Sequence, residues 1–494
     1  MKEEKAEKAV GRLVGWLDSR LGLSHPLLRP VPQYSINPFY WLGALTVVAF
    51  LIQGVTGVIM MLYYVPDPTQ AYSSTLYIFQ NVYFGRFLET IHLYTAYAMI
   101  MLAFLHMMRG YFVSVHKTPR EAMWVVGMLM GFVTLGFGFT GYLLPWTVVS
   151  KSGTDVGIGM IQALPHPVSS IVSFLIVGSG GDAGQLLRFF DLHIVILPVV
   201  LVSLLAAKMY MLEIHGISPP VTQKGMSKLS KVFPIFPDVT LYLLELAALL
   251  GAGMLIIAVL FPINLGPEYS PQLAGTITAQ PDWYFLWIYQ ILKISVFEGN
   301  NLPIALTLVT LILAGLVVLP FIDRNEKRKI LERPLYVAIG AIFIAEIAVL
   351  AEWGLLTPGA IIGVGQAVLV LGGTAALVGL STLGALKVLP HRGEAESPKA
   401  SNPSVRTAQF RVGVAMMVAL ALGALGIGVA IDSVVTMAMS GVNLLELSRL
   451  AASLFALGVA SAFSTYLAYR MNLGANPIRR TIAILELWWS PNED

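Results

Sequence analysis

The sequence predicts an all-α integral membrane fold of about ten transmembrane helices, and three observations lead there. Hydrophobic residues fill 56% of the 494 positions and charged residues 12%, a composition suited to a bilayer as solvent. A spanning helix needs roughly 20 apolar residues, and ten segments qualify: about 41–64, 88–111, 124–146, 191–213, 241–262, 303–320, 335–356, 360–386, 411–433 and 448–470. Basic residues collect on alternate connections, as the positive-inside rule requires of one membrane face.

Taken in order, residues 1–34 read as an amphipathic helix lying on the membrane surface. Mixed charges precede Val10, Leu13, Val14, Leu17 and Leu21 at helical intervals, a pattern unlike a cleavable signal peptide. Residues 35–215 hold the first four spans. Residues 216–240, with Pro219-Pro220 and Lys224, Lys228 and Lys231, read as a cytoplasmic linker. Residues 241–357 carry three further spans, and 358–494 three more, interrupted by the polar stretch 391–409. The basic connections include Lys117 and Arg120, the linker lysines, Arg324, Lys327, Arg328, Lys329 and Arg333, and Arg479 and Arg480. They place both termini in the cytoplasm of a prokaryotic cell, with the chain in its plasma membrane. Two connections on the opposite face, 147–190 and 263–302, are long and rich in Pro and Gly, as loops that build or cover a site tend to be.

Composition also excludes chemistry. With no cysteine, this chain offers no disulfide, thiolate metal ligand, iron–sulfur ligation or thioether-attached haem. A net charge of +3 gives no argument for nucleic acid.

Histidine points to a cofactor. Three of the eight, His92, His106 and His193, lie inside predicted spans, where ionisable groups are costly and functional by default. His92 and His106 are 14 residues apart, which in a helix is about 21 Å of rise and about 40° of net rotation. Both rings therefore face one way at two depths. The first and third spans repeat the interval in glycine, Gly43 with Gly57 and Gly127 with Gly141. Glycine is common at helix contacts in membranes, but two pairs at the histidine spacing suggest side chains removed where a flat macrocycle approaches backbone. The economical reading is a four-helix bundle holding two stacked haems, ligated from the second and fourth spans.

Several ordered motifs carry a resemblance. QGVTG at 53–57, FGRFLETIH ending at His92, LHMMRGY and KTPREAMW after it, GYLLPW at 141–146, LLRFFDLHIVILP around His193 and QPDWYF at 280–285 together resemble the cytochrome b subunit of cytochrome bc complexes, from about residue 35 to about 355. The resemblance implies that His92 and His193 ligate an outer, low-potential b haem and that His106 is one ligand of an inner one. It also implies a quinol oxidation site where Asp282 of PDWY, in place of the family's glutamate, accepts a proton and Tyr284 lines the pocket. Quinone reduction falls on the cytoplasmic side, where His215, Lys224 and Asp238 lie. Partners implied are a Rieske iron–sulfur protein, a cytochrome c or other acceptor subunit, quinone, the lipid membrane and a second copy of the chain. Some relatives encode the two halves separately.

This chain departs from the family at two places. The expected fourth ligand position holds Lys208, and three readings stay open. Its amine ligates iron; it snorkels toward the headgroups and leaves a five-coordinate haem; or the inner haem is absent. Ligation needs the neutral amine, and a lysine of ordinary pKa about 10.4 costs about 4.6 kcal/mol to deprotonate at pH 7. The second departure is Glu89, which stands where relatives often carry a propionate-binding arginine, leaving Arg86 and Arg109 as candidates for the haem edges.

The expected function is the membrane core of a quinol-oxidising oxidoreductase coupled to proton translocation, inactive without an iron–sulfur partner. Two alternatives stand beside it. A di-haem anchor of a dehydrogenase or reductase leaves PDWY unexplained, and a secondary transporter would show inverted repeats and interrupted helices.

Overall fold

Within a bilayer every backbone polar group must find its partner inside its own segment, so apolar runs become helices. The computed structural model describes residues 30–219 and 232–388, and eight helices there are long and apolar enough to cross a membrane. The expected spans 411–433 and 448–470, the stretch 391–409, nearly all of the 1–34 surface helix and the linker lysines lie outside the described residues.

The chain opens on strand β1 (Pro30–Pro32), paired antiparallel with β2 (Val232–Pro234) so that Val31 faces Phe233. Helix α1 (Leu42–Met61) is the first span. A short helix α2 (Ala71–Asn81) precedes α3 (Gly85–Phe112), the histidine-bearing second span. The turn between them forces a glycine: Phe84 sits at φ 59, and a Cβ on Gly85 would fall 1.8 Å from the Ile78 carbonyl oxygen. Helix α4 (Glu121–Leu143) is the third span.

The outward stretch 147–190 is helical where the sequence reading expected a loop. It forms α5 (Val148–Gln162), α6 (Val168–Ile176) and α7 (Gly181–Asp191). Helix α5 starts at a capping box in which Thr147 Oγ1 accepts from Ser150 N–H and Ser150 Oγ accepts from Thr147 N–H. Being too short to span, these helices escape a search for long apolar runs. Leu143, Trp146, Ile158, Leu186 and Phe189 pack together at this end of the bundle. Lys151 is buried here, which works against its charge, but its contacts with Asp155 and Asp182 prevail and hold its pKa above the ordinary lysine value.

The fourth span continues from α7 through one π turn (Leu192–Ile196) into α8 (Leu197–His215). Helix α9 (Thr240–Leu260) follows. In the bundle α1 packs on α3, α4 on α8, α3 on α4, and α9 on α1 and α3.

The described chain divides into two compact units, one of residues through Ile277 with Thr310–Lys329, the other of Thr278–Val309 with the residues from Ile330 onward. In the second unit α10 (Leu286–Leu292) packs on α12 (Pro334–Leu356), and α12 on α13 (Gly373–Val388). Helix α11 (Leu302–Ile322) contributes to both units.

At the end of the first unit where α3 and α11 exit lies a buried polar cluster. His116 Nε2 is 2.9 Å from Asp323 Oδ2, and Lys117 Nζ donates to Asp323 Oδ1 at 3.1 Å, to Asn325 Oδ1 at 2.8 Å and to the Asn325 carbonyl. His116 and Asp323 are 0% and 1% exposed, so the exit of α3 is tied to the exit of α11 by charges that water does not reach. Removing the carboxylate strands the lysine charge in a dry site. Asp323→Ala is therefore expected to destabilise the solubilised protein by about 3–5 kcal/mol, read as a lowered melting temperature.

Candidate functional site

The three histidines of the spans, His92, His106 and His193, and Lys208 each meet a glycine of the neighbouring helix. At the outward level, a Cβ on Gly57 of α1 would lie 3.4 Å from His92 Cε1, and one on Gly141 of α4 would lie 2.6 Å from His193 Cε1. At the inner level, a Cβ on Gly43 would lie 3.1 Å from His106 Cε1, and one on Gly127 would lie 2.8 Å from Lys208 Nζ. The lysine amine thus stands to α4 as the His193 ring does one level above. It also lies within electrostatic range of His106.

The spacing on α8 explains why a 15-residue interval matches the 14-residue intervals elsewhere. A π turn closes its hydrogen bond over five residues in place of four, and here Leu197 N–H donates to the Leu192 carbonyl. One residue is absorbed beside His193, and Lys208 arrives at the depth of His106.

The outward pair passes a geometric test for a shared haem iron. The His92 and His193 ring centroids are 6.3 Å apart. Two imidazoles bonded to one metal at about 2 Å, through nitrogens about 1 Å from each ring centre, have centroids about 6 Å apart. The Nδ1 atoms face threonines: Thr56 Oγ1 is 2.8 Å from His92 Nδ1 and Thr140 Oγ1 3.1 Å from His193 Nδ1. Gln53 Nε2 donates to the His92 carbonyl at 2.6 Å and ties α1 to α3 at that level. Between the two levels the bundle is apolar, with Ala49, Met99 and Leu201 at its centre and Phe50, Met130, Val133 and Phe137 around them. Among the described residues no group of three or more His, Cys, Asp or Glu side chains is placed to hold a bare metal ion.

The other expected residues are distributed as follows. Arg109 lays its guanidinium 3.8 Å from the Tyr40 ring centroid, one turn past His106. Burial raises the Tyr40 hydroxyl pKa against the opposing pull of that guanidinium. Arg86 donates to the Ile263 carbonyl at 2.9 Å and to Asn264 Oδ1 at 2.6 Å, so its partners are in the loop after α9. His215 ends α8, and its carbonyl accepts from Arg120 at 2.8 Å. Asp282 and Tyr284 lie in the second unit, in a turn where Phe285 N–H donates to the Asp282 carbonyl and Tyr284 is buried. That turn is anchored by Gln280 donating to the Gly354 carbonyl and Tyr289 to the Ala279 carbonyl.

Sequence reasoning passed over Thr56 and Thr140. The available signal was a Thr-Gly dipeptide at 56–57 and again at 140–141, each ending at a glycine already selected for its spacing.

Both halves of the chain resemble known proteins. Residues 29–216 match the family described as cytochrome b/b6/petB, and residues 273–372 match cytochrome b(C-terminal)/b6/petD. The second match runs past the position near 358 where recognisable motifs end. A cytochrome bc complex cytochrome b subunit from Chlorobaculum thiosulfatiphilum is 34% identical over 346 residues, covering 67% of this chain and 78% of the relative. The menaquinol:cytochrome c reductase cytochrome b subunit of Bacillus subtilis (strain 168) is 36% identical over 225 residues, 43% of this chain and 100% of the relative. Among solved structures, a chain of a hyperthermophilic respiratory Complex III superposes with a TM-score of 0.60 at 26% identity, covering 76% of this chain and 98% of that one. Matched in both halves by the family's models, and at 34% identity across most of a curated relative, this multi-pass membrane chain belongs to the cytochrome b/b6 family.

Proposed function

We propose that the chain is the cytochrome b core of a quinol-oxidising bc-type complex and holds two b haems at two depths of its first four spans. The observation that carries the reading is the His92–His193 pair, with centroids 6.3 Å apart and each ring against a glycine. His92 and His193 hold the outer haem, and His106 and Lys208 the inner one. Gly43, Gly57, Gly127 and Gly141 clear the macrocycle faces. Arg109 serves the inner haem edge, while Arg86 is engaged by the 263–264 loop. Bound there, the haems supply one-electron transfer between the two membrane faces.

The reading of Lys208 as a ligand is supported by its amine resting against Gly127, the relation His193 has to Gly141. A snorkelling lysine would carry its charge to the headgroups. Iron requires the amine lone pair, so the dry bundle and the metal together must favour the neutral form.

Quinol oxidation releases two protons and two electrons. Asp282 accepts a proton and Tyr284 lines the quinol pocket, on a turn pinned at both ends. One electron leaves through a Rieske iron–sulfur partner toward a cytochrome c or other acceptor subunit, and the second reaches quinone at the cytoplasmic side. In this organisation 35–215 is the haem bundle, 216–240 the linker and 241–357 the quinol-site part. Residues 358–494 serve packing or subunit docking in a homodimeric complex. The complex sits in a prokaryotic plasma membrane with both termini cytoplasmic, where quinol chemistry on opposite faces translocates protons.

The first test is the haem-to-protein ratio with low-temperature EPR of the oxidised complex. Two haems and two low-spin signals are expected, and Lys208→Ala should convert one signal to high spin while Lys208→His keeps it low-spin. A single haem per chain sinks the inner site. Gly141→Ala, which drives a Cβ to 2.6 Å from His193, should lose more outer haem than Gly57→Ala at 3.4 Å, measured by difference spectra. Asp282→Asn should leave haem content intact and slow quinol oxidation by about tenfold or more; an unchanged rate removes Asp282 from the proton path.

A further inference from the structure

The outward histidines share a feature that the inner level lacks. Besides facing an imidazole Nδ1, each threonine hydroxyl lies 2.8 Å from the carbonyl oxygen four residues back, Ile52 for Thr56 and Gly136 for Thr140. A carbonyl oxygen has no proton to give, so the hydroxyl proton goes to it. The Oγ1 lone pairs then accept from Nδ1–H. The histidine tautomer follows: Nδ1 carries the proton and Nε2 keeps its lone pair for iron.

Back-bonding by itself is ordinary helix behaviour. Thr46 and Thr134 bond the Leu42 and Met130 carbonyls at 2.9 Å in the same way. At the inner level His106 Nδ1 is buried with no hydrogen-bond partner, and Lys208 has no second ring nitrogen to donate. The two levels thus differ in what stands behind the ligands.

We infer that Thr56 and Thr140 are positioning residues that lower the reduction potential of the outer haem relative to the inner one, by accepting hydrogen bonds from the Nδ1–H of His92 and His193. A ligand imidazole whose far N–H is hydrogen-bonded is a stronger electron donor to its metal, which favours the oxidised state. The inference rests on the haem reading above. Thr56 gives the cleaner test, because its hydroxyl lies closer to its ring, 2.8 Å against 3.1 Å.

The experiment is a redox titration of the purified complex, followed optically and by EPR, on wild type, Thr56→Val, Thr56→Ser and Thr134→Val. In Thr56→Val the outer haem should stay bound, titrate at a more positive potential and show shifted low-spin g values. Thr56→Ser, which keeps the hydroxyl, and Thr134→Val should both match wild type. Loss of the outer haem in Thr56→Val with wild-type behaviour in Thr56→Ser overturns the inference, since the hydroxyl then holds the group without being shown to set its potential. Loss in both variants overturns it, and so does a retained haem at unchanged potential in Thr56→Val, while the haem reading stands. A wild-type complex without haem overturns both.

Discussion

Close approach of a nitrogen-bearing side chain to a glycine on the next helix is the constraint on which the bundle depends. Two such contacts join α1 to α3 and two join α4 to the fourth span, at two matching depths. At Gly141 and Gly43 a single added carbon would crowd the ring, at Gly127 it would displace the amine, and at Gly57 it would just touch. Helix register is therefore fixed at two depths at once. Sliding one helix by a turn would break both of its contacts together.

Between those depths the core is mainly apolar, around Ala49, Met99 and Leu201, with Thr134 bonded back to its own helix. The outward end places hydroxyls behind both rings; the inward end has one unsupported ring and one amine. The asymmetry arises from two dipeptides, Thr-Gly at the outward level against Leu-Gly and Val-Gly at the inward one. Neighbouring residues on one helix thus divide the work: glycine makes room for the ring, and threonine, where present, orients it.

Much of this was legible in the sequence because hydrocarbon is an exacting solvent. All eight spans expected within the described residues are present, since a run of apolar residues long enough to cross has few other outcomes. The histidine and glycine intervals were legible for the same reason, as helical periodicity converts spacing into facing. The outward helices α5, α6 and α7 were not, being too short and too rich in Gly and Ser for a hydropathy window. Nor was the π turn, because LHIVI at 192–196 is an unremarkable apolar run and the change lies in one hydrogen bond. His116 read as a loop histidine, and only the return of Asp323 from 207 residues away explains its burial. The threonines needed knowledge of which helix faces which, information that periodicity within one helix does not contain.

The ties at the end of the bundle that carries β1 and β2 bear on how such a chain can be made. Strand β1 holds β2 on the far side of residues 220–231, and the His116–Lys117 pair holds Asp323 still further along. Neither contact depends on the peptide bonds between positions 219 and 232. A chain interrupted there would offer its two pieces matching edges and matching buried charges, and joining them would cost only the effective concentration that a tether supplies. One gene or two is then a question of translation, and the assembled bundle is the same.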